Sequence, residues 1–237
     1  MKKISVCIAT YNGEKYIKEQ IDSILVQLSV NDELIVSDDN STDRTVDVIK
    51  RISDSRIKIF FNTEKGYTSN FENALKQVTG DIVFLSDQDD VWAKNKVEVC
   101  MEALEYYDLV VSDCEIINAR NEVISDSYFR LRGVKRTRFG NLVTFTYLGC
   151  CLAFKSEILE KALPFPLNRS FCTHDNWLFL VGSFFFKHKV LNEKLIYYRR
   201  HDGNVSTGGL ISKTSLSFKI KYRIYLCYFL IKRGLFS

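Results

Sequence analysis

Proline and glycine are scarce in this chain, which has only 2 prolines and 11 glycines among its 237 residues. Collagen-like segments and long flexible linkers are built from these residues, so both are excluded. Hydrophobic residues make up 46% of the chain and aromatic residues 13%, which is enough for a sizeable core and excludes a disordered chain. The length fits one sizeable domain or two small ones.

Long apolar runs are also missing. No segment approaches the roughly 20 apolar residues of a membrane-spanning helix, and the longest candidate, residues 224–231, is too short. The apolar run at residues 4–9 gives way at once to polar residues, which does not fit a cleavable signal peptide. We therefore expect a cytoplasmic protein.

The chain has no large excess of either charge: it contains 33 basic and 29 acidic residues, for a formal net charge of +4. No nucleic-acid partner is expected from this balance. Basic residues do cluster in residues 130–138 and in a tail, residues 211–237, where they alternate with Phe and Tyr. The tail pattern fits an amphipathic helix on an anionic membrane, and it fits equally a C-terminal helix docked on the core.

The seven cysteines show no CxxC spacing, and several lie within apolar runs. An odd number also leaves at least one thiol unpaired. We expect reduced thiols in the core rather than disulfides or a zinc site.

Short apolar runs alternate with helical patterns through the first half of the chain. Residues 4–9, 34–37, 57–61 and 82–85 predict four buried strands. Between them, apolar residues recur at helical spacing, and residues 40–42 and 68–69 offer N-caps for the second and third helices. This alternation predicts an α/β fold with a mostly parallel sheet and helices on both faces.

The second half of the chain is less regular. Residues 109–112 and 148–154 predict two more strands, and an apolar helix begins at His174. This half is expected to complete the sheet and to supply the other wall of a cleft.

Polar residues follow the early strands. Thr10, Tyr11 and Asn12 follow the first strand, residues 38–43 follow the second, and residues 87–90 follow the fourth. Ligands bind beyond the carboxyl ends of strands in open parallel sheets, because loops and helix N-termini meet there. We therefore expect one binding site at this edge.

Asp87 and Asp89 are candidates for a divalent-cation site. Carboxylates two residues apart in an extended segment point the same way, and a cation offsets their repulsion. Oxygen ligands suit Mg²⁺ or Mn²⁺, which complete their coordination with phosphate oxygens and water. A solvated acidic turn is the alternative, and the position directly after a buried strand favours the cation.

Two common phosphate-binding motifs are absent. The chain has neither GxGxxG after the first strand nor GxxxxGK[ST] at any position. Dinucleotide dehydrogenases and P-loop phosphotransferases are therefore disfavoured, and a cation is expected to bind the phosphates instead. Asp38 and Asp39 are candidates to accept hydrogen bonds from a pyrimidine nucleoside, while residues 40–42 can cap the next helix at the same time.

Two further candidates lie in the second half. Asp175 is expected in the first turn of a helix, where it is either an ordinary N-terminal acid or a catalytic residue. Arg199, Arg200 and His201 suit a diphosphate or its cation, although such residues are most often surface charges.

Five separated segments carry a common pattern: SVCIATYNG, ELIVSDDNSTDRT, GDIVFLSDQDDVW, HDNW and YRRHDGN. In this order they resemble the family 2 glycosyltransferases with the GT-A fold. The DQDDVW form resembles bacterial enzymes that build rhamnose-containing or related surface polysaccharides. The resemblance implies a GT-A domain at residues 1–210, with a nucleotide-sugar-binding half at 1–112 and an acceptor half at 113–210.

The resemblance also implies roles for the matching residues. Those in the first half would bind the nucleotide sugar: Thr10, Tyr11 and Asn12 in the nucleotide pocket, Asp38 at the base, Asp39 at the nucleoside, and Asp87 at the ribose or sugar. Asp89 would hold Mg²⁺ or Mn²⁺, and His201 would contact the cation or the diphosphate. Asp175 would be the catalytic base. His174, which stands where many members have Glu, would contact the acceptor or diphosphate, as would Trp177 and Arg200.

Together these roles imply an inverting transfer from a UDP- or dTDP-linked sugar to a hydroxyl of a glycan or lipid-linked glycan, in bacterial surface polysaccharide synthesis. The tail leaves a location at the inner face of the cell membrane open. A metal-dependent nucleotidyltransferase is one alternative, although its glycine-rich basic loop near the N-terminus is missing. A phospho-acceptor signalling domain would be about half as long. A non-catalytic module that binds sugar nucleotides is separable from an enzyme by assaying release of nucleoside diphosphate.

Overall fold

The structure, a computed structural model, describes residues 2–204 and 215–235. Within these ranges the strands are β1 (Ile4–Thr10), β2 (Glu33–Asp38), β3 (Ile57–Phe61), β4 (Ile82–Asp87), β5 (Val91–Trp92), β6 (Leu109–Asn118), β7 (Val123–Ser125), β8 (Leu152–Lys155) and β9 (His188–Arg200). The helices are α1 (Ile17–Leu25), α2 (Thr45–Lys50), α3 (Tyr67–Leu75), α4 (Lys96–Leu104), α5 (Tyr128–Arg132), α6 (Arg138–Val143), α7 (Glu157–Ala162), α8 (His174–Phe185) and α9 (Leu216–Leu235). Residues 1, 205–214 and 236–237, which the sequence assigns to the predicted domain and tail, lie outside the described residues.

Strands of the first half form a parallel group in the order β3-β2-β1-β4. The apolar runs of β1, β2 and β4 are largely buried, as expected for strands that helices cover. β3 ends this row and is only partly buried, so the prediction of a buried strand at residues 57–61 is wrong in that respect. Thr10 pairs with Asp38 and Ala9 pairs with Asp87, so the carboxyl ends of β1, β2 and β4 lie at the same edge of the sheet. The predicted α/β architecture, a mostly parallel sheet with flanking helices, is confirmed.

The sheet continues through the second half in the order β8-β6-β9-β5, and β7 pairs with β6. β8 is antiparallel to β4 and β6, whereas β6 is parallel to β9. β6 extends well beyond the predicted residues 109–112, because it pairs with β9 from Leu109 to Asn118. The boundary that the sequence suggested between residues 112 and 113 therefore lies inside a strand.

The strand predicted at residues 148–154 is wrong in its first part. β8 begins at Leu152, and Gly149–Cys151 forms a 3-10 turn before it. This turn passes against the first residue of α8, since a Cβ atom at Gly149 would lie only 2.6 Å from Nε2 of His174. The apolar character of the turn reflects burial against the core rather than strand pairing.

The predicted N-caps of α2 and α3 are also wrong. α2 begins at Thr45, and the backbone N–H of Thr45 donates to Oδ1 of Asp43 at 2.9 Å, so residues 40–42 belong to the preceding loop. α3 begins directly after Gly66, whose φ of 120° is readily adopted only by glycine. Residues 68–69 therefore lie inside α3 rather than at its cap.

One hydrophobic core runs through the described residues, from Ile4 in β1 to Leu230 in α9. The seven cysteines are free thiols, and six of them are buried. This arrangement agrees with the prediction of reduced thiols in the core.

The tail helix α9 packs on the outside of α8. Leu226 and Leu230 of α9 are buried. The hydroxyl of Tyr222 accepts a hydrogen bond from Nδ2 of Asn176, and the hydroxyl of Tyr225 accepts one from the N–H of Asn168 at 2.9 Å. Residues 216–235 therefore dock on the core, as one of the two interpretations of the tail predicted. Among the described helices, none combines the length and the apolar character that crossing a bilayer demands.

Candidate active site

A cleft of about 560 Å³ opens at the carboxyl ends of β1 and β4, opposite the N-terminus of α8. It lies where the alternation of strands and polar loops predicts a site. Residues at or after the ends of β1, β2 and β4 line the cleft together with the first residues of α8. Seven of the lining residues are predicted site residues: Thr10, Tyr11, Asp39, Asp87, Asp89, His174 and Asp175. The fold thus brings together residues that are up to 165 positions apart in the sequence.

Two of the predicted nucleotide-binding residues do not line the cleft. The buried carboxylate of Asp38 accepts hydrogen bonds from Oγ1 of Thr10 and from the N–H of Ser41, both at 2.9 Å. Oδ1 of Asn12 accepts from the N–H of Thr42 at 2.8 Å. These side chains hold the loops after β1 and β2 together. Asp38 is therefore not in the position predicted for a contact with the base.

Asp39 and Tyr11 occupy the cleft wall on this side. Asp39 accepts hydrogen bonds from Nδ2 of Asn62 at 2.8 Å and from the N–H of Gly66 at 2.9 Å, which fixes its direction. The backbone of Tyr11 makes two hydrogen bonds with the side-chain amide of Gln88, at 2.8 and 3.0 Å. The loop after β1 is thereby joined to the loop after β4, which carries the acidic residues.

Acidic side chains are concentrated in the loop after β4. Burial, together with the charges of Asp89 and Asp175, raises the pKa of Asp87 to about 7. Burial, Asp89 and Asp87 raise the pKa of the fully buried Asp90 well above its ordinary value. Asp87, Asp90 and Cys150 each offer a ligand atom within 4.8 Å of the others. Such crowding of carboxylates with little compensating charge is what a bound cation relieves.

Asp89 contacts the segment that follows β9. Nε2 of His201 lies 2.9 Å from Oδ2 of Asp89, and Nδ2 of Asn204 donates to the same oxygen at 3.0 Å. Neighbouring ligands of an octahedral cation, each about 2.1 Å from it, lie about 3 Å apart. The 2.9 Å separation of the Asp89 and His201 atoms is that of a hydrogen bond and is also compatible with two ligands of one divalent cation, so the residues fit such an ion.

Arg199 holds this segment in place from the opposite side. Its guanidinium is buried, donates to the carbonyl of Asp89 at 2.7 Å and pairs with Glu19 at 2.7 Å. Its backbone N–H donates to Oδ1 of Asp90 at 2.9 Å. Arg199 is therefore not one of the surface charges that the sequence left as an alternative, but an internal support of the acidic loop. Arg200 does not line the cleft, and its Nη1 lies 3.3 Å from the hydroxyl of Tyr198.

His174 begins α8 and forms part of the far wall of the cleft. Its ring stacks on Phe71 with a centroid distance of 3.9 Å, and burial lowers the pKa of His174 despite the nearby charge of Asp175. Neither ring nitrogen has a hydrogen-bond partner among the described residues. Buried polar atoms without a partner are uncommon in proteins, so this ring stands out among the residues that line the cleft.

The structure does not support the prediction that Trp177 contacts the acceptor or the diphosphate. Its side chain is fully buried, and its Nε1 donates to the carbonyl of Ala162 at 2.8 Å. It does not line the cleft and packs in the core beneath α8, where no acceptor or diphosphate reaches it.

Several cleft residues were not predicted as site residues. The first turns of α3 contribute Tyr67, Asn70 and Phe71, and the loop segments contribute Gln88 and Asn204. Phe71 belongs to an apolar helical stripe, which gives no sign of a ligand. Gln88 and Asn204 do lie inside the quoted motifs, so their position in those motifs was an available signal.

Comparison with known families identifies the chain. A family model described as glycosyl transferase family 2 matches residues 5–163, which is more than half of the chain. The chain belongs to glycosyl transferase family 2. This membership confirms the resemblance to the family, and the match spans the first three of the five motifs. It favours glycosyl transfer over the nucleotidyltransferase and signalling alternatives.

Curated relatives of this family 2 glycosyltransferase include enzymes of bacterial glycan synthesis. An uncharacterized glycosyltransferase of Nostoc sp. is 30% identical over 214 residues, which cover 85% of this chain and 66% of that protein. The dTDP-rhamnosyl transferase RfbG of Shigella flexneri is 27% identical over 91% of this chain and 77% of its own. WfaP of Escherichia coli, a UDP-Glc:alpha-D-GlcNAc-diphosphoundecaprenol beta-1,3-glucosyltransferase, is 27% identical over 99% and 95%, respectively.

Solved structures share the fold of this family 2 glycosyltransferase. The structure of S. aureus TarS 1-349 in complex with UDP-GlcNAc has a TM-score of 0.70 and 19% identity, and it matches 99% of this chain and 73% of that one. The mannosyltransferase PcManGT from Pyrobaculum calidifontis, in complex with GDP-Man and Mn²⁺, has a TM-score of 0.59 and 20% identity over 99% and 73%. The predicted GT-A fold is thereby confirmed.

Proposed function

We propose that this chain is an inverting, cation-dependent glycosyltransferase that moves a sugar from a nucleoside diphosphate to an acceptor hydroxyl in bacterial surface polysaccharide synthesis. The observation that carries the proposal is the single cleft in which Asp87, Asp89 and Asp175 meet, with His201 beside Asp89. The names of the relatives RfbG and WfaP support the substrate class, because one uses a dTDP-linked sugar and the other a UDP-linked sugar.

The nucleotide would bind at the edge formed by β1, β2 and β4. Thr10 and Tyr11 line the cleft there, and the fixed carboxylate of Asp39 is directed by Asn62 and Gly66. In this proposal Asp39, rather than Asp38, accepts hydrogen bonds from the nucleoside. Asp87 lies against the ribose or the sugar. Residues 1–112 thus provide most of the donor site, and residues 113–210 provide the acceptor side.

The diphosphate would lie over Asp89 and His201. A divalent cation, when bound by these residues, would neutralise the charge that develops on the leaving diphosphate. The chain itself contributes the geometry: Arg199 fixes the backbone of Asp89, and Asn204 orients its carboxylate. A ligand oxygen that is already oriented costs little reorganisation when charge develops in the transition state.

Asp175 would act as the general base. In the transfer, the bond between the sugar carbon and the diphosphate oxygen breaks, and a bond forms between that carbon and the acceptor oxygen. The acceptor proton passes to the carboxylate of Asp175, and the nucleoside diphosphate leaves with the bonding electron pair. A single displacement of this kind inverts the configuration of the sugar carbon. A positioned base contributes typically about 10² to 10⁴-fold to such a rate.

The acceptor would approach from the α8 side of the cleft. His174 lines this wall next to Asp175, and its two ring nitrogens are buried behind the cleft surface, with Nε2 directed at Gly149. The lipid-linked acceptor named for WfaP suggests a glycan carried on a diphosphate lipid as the first acceptor to examine.

The decisive experiment substitutes the proposed base. Purified chain is incubated with UDP-glucose, UDP-GlcNAc or dTDP-rhamnose, Mn²⁺ and a short lipid-linked GlcNAc diphosphate, and released nucleoside diphosphate is measured. One of these donors should support turnover by the parent chain. We expect Asp175→Asn to bind that donor as tightly as the parent chain does, and to release nucleoside diphosphate about 10² to 10⁴-fold more slowly. Asp47→Asn, which changes an exposed carboxylate on α2, is the matched control and should behave as the parent chain.

Near-normal turnover by a folded Asp175→Asn chain would remove Asp175 from the role of base. Tight binding of a sugar nucleotide with no release of nucleoside diphosphate by the parent chain, with any of these donors, would instead favour a binding module.

A further inference from the structure

The outward face of α9 is apolar, although it belongs to a surface helix. Six side chains on this face are between 49% and 73% exposed: Leu216, Ile220, Ile224, Tyr228, Ile231 and Leu235. They recur at intervals of three and four residues, so they form one stripe along the helix. A surface helix normally directs polar residues to the solvent and its apolar stripe to the core. We call these six residues the α9 stripe.

The inward face of α9 is apolar as well and is already used. Leu226 and Leu230 are buried against the core, and the Tyr222 and Tyr225 hydroxyls are hydrogen-bonded to Asn176 and the backbone of Asn168. The Arg223 guanidinium donates to the carbonyl of Val143 at 2.9 Å. These contacts fix the rotation of the helix about its axis. The α9 stripe therefore cannot turn inward without breaking them.

The charged residues of α9 are of one sign. The α9 sequence contains five basic residues and no acidic residue. Lys221 and Lys232 are exposed and, at about 100° per residue, lie on the same edge of the stripe. Arg223 and Lys219 lie toward the opposite edge. The face thus consists of an apolar centre with a basic border.

This combination decides between two occupants. A second copy of the chain, packed through the same face, would bring two basic helices together with no acidic partner on either α9. An anionic lipid surface offers both an apolar layer for the stripe and negative headgroups for the border. We propose that α9 is a membrane-docking surface, which lies flat on an anionic bilayer while its other face stays packed on α8.

Two exposed apolar residues lie next to α9. Val143, whose carbonyl binds Arg223, and Leu167, which precedes Asn168, are 57% and 85% exposed. They flank α9 on either side. Exposed apolar side chains near α9 are therefore not confined to the helix itself.

Vesicle co-sedimentation tests this proposal with the full chain and without any transfer reaction, so its failure is distinguishable from failure of the proposed function. The chain is mixed with vesicles of phosphatidylcholine containing phosphatidylglycerol, or of phosphatidylcholine alone. We expect binding to the anionic vesicles, weakened by high salt, and at least about tenfold weaker binding to the neutral ones. The double variant I224E/I231E should lose binding by at least about tenfold.

Two further variants make the result specific. V26E/V30E changes two exposed apolar residues on the connection between α1 and β2, outside α9, and should bind as the parent chain. K221E/K232E leaves the stripe intact and should lose most of the preference for anionic vesicles. Because all these side chains are exposed, each variant should keep the circular dichroism spectrum and melting temperature of the parent chain.

Three outcomes would overturn the proposal. The first is no binding of the folded parent chain to either vesicle. The second is equal binding to both vesicles at low salt. The third is self-association in sedimentation velocity that I224E/I231E abolishes while no vesicle binding is found, since the face would then join two copies.

Discussion

Gly149 is a position where the smallest substitution should disturb the α8 wall of the site. A Cβ atom at this position would lie 2.6 Å from Nε2 of His174 and 3.2 Å from Cβ of Asp175. Ordinary contact begins near 3.4 Å, so the His174 ring must move by about 0.8 Å to admit alanine. That ring is held against Phe71, and α8 carries Asp175 as its next residue, so the displacement reaches the proposed base.

The expected cost of Gly149→Ala is kinetic. A misplacement of about 1 Å in a catalytic arrangement can cost about 10²-fold in rate. We therefore expect a loss of this order in single-turnover release of nucleoside diphosphate. Donor affinity measured by calorimetry should change little, because Thr10, Tyr11 and Asp39 lie on the other wall of the cleft.

Stability must be measured alongside, because overpacking a buried position typically costs about 1–3 kcal/mol. Gly234→Ala is the matched control: its new Cβ would lie 3.2 Å from Cε1 of Phe185, near the exposed end of α9. That variant should transfer at the parent rate. A folded Gly149→Ala chain with a normal transfer rate would refute the reasoning, since it would show that the α8 N-terminus is not held by this contact.

Three other predictions concern Asp89 in the acidic loop, Glu33 at the start of β2 and Trp177 in the core. Asp89→Ala should abolish the Mn²⁺-dependent part of donor binding, and calorimetry with and without Mn²⁺ that gives unchanged heats would contradict it. Although burial acts against it, hydrogen bonds from Lys58, Ser5 and Thr79 lower the pKa of Glu33 to about 2. The ionised form therefore stabilises the fold fully above pH 4.5, and up to about 3 kcal/mol of unfolding free energy is lost as the pH falls toward 2. Glu33→Gln should lack this loss in denaturant titrations at several pH values, whereas a loss equal to that of the parent chain would count against the Glu33 assignment. Trp177→Phe should lower the melting temperature but keep the transfer rate, and a selective loss of rate would restore Trp177 to the site.

The architecture could be predicted from the sequence because it follows from local periodicity. Four apolar runs and the helical patterns between them were sufficient to predict parallel strands and to locate their polar carboxyl ends. The errors arose where tertiary contacts override a local pattern. Gly149–Cys151 is apolar because it is buried against α8, and β6 is long because β9 pairs with it. Neither partner can be inferred from nearby residues.

Some residues of the site could be predicted from local pattern, and others depend on tertiary contacts. Asp87 and Asp89 were predictable because they directly follow a buried strand, which fixes where they lie. The contacts of Asp38 and Arg199 could not be predicted because the direction of a loop side chain depends on its partners. Asp38 is turned inward by Thr10 and Ser41, and Arg199 is drawn inside by Glu19 and the carbonyl of Asp89.

The HDNW segment shows why a contiguous motif does not imply a contiguous site. Successive residues of a helix point about 100° apart, so four in a row cannot all face one cleft. His174 and Asp175 face it, whereas Asn176 bonds to Tyr222 of α9 and Trp177 bonds to the carbonyl of Ala162. The first turn of α8 therefore joins the cleft, the core and the tail helix within four residues. Because α9 packs against this turn, a surface that α9 binds would also set the direction from which an acceptor reaches Asp175.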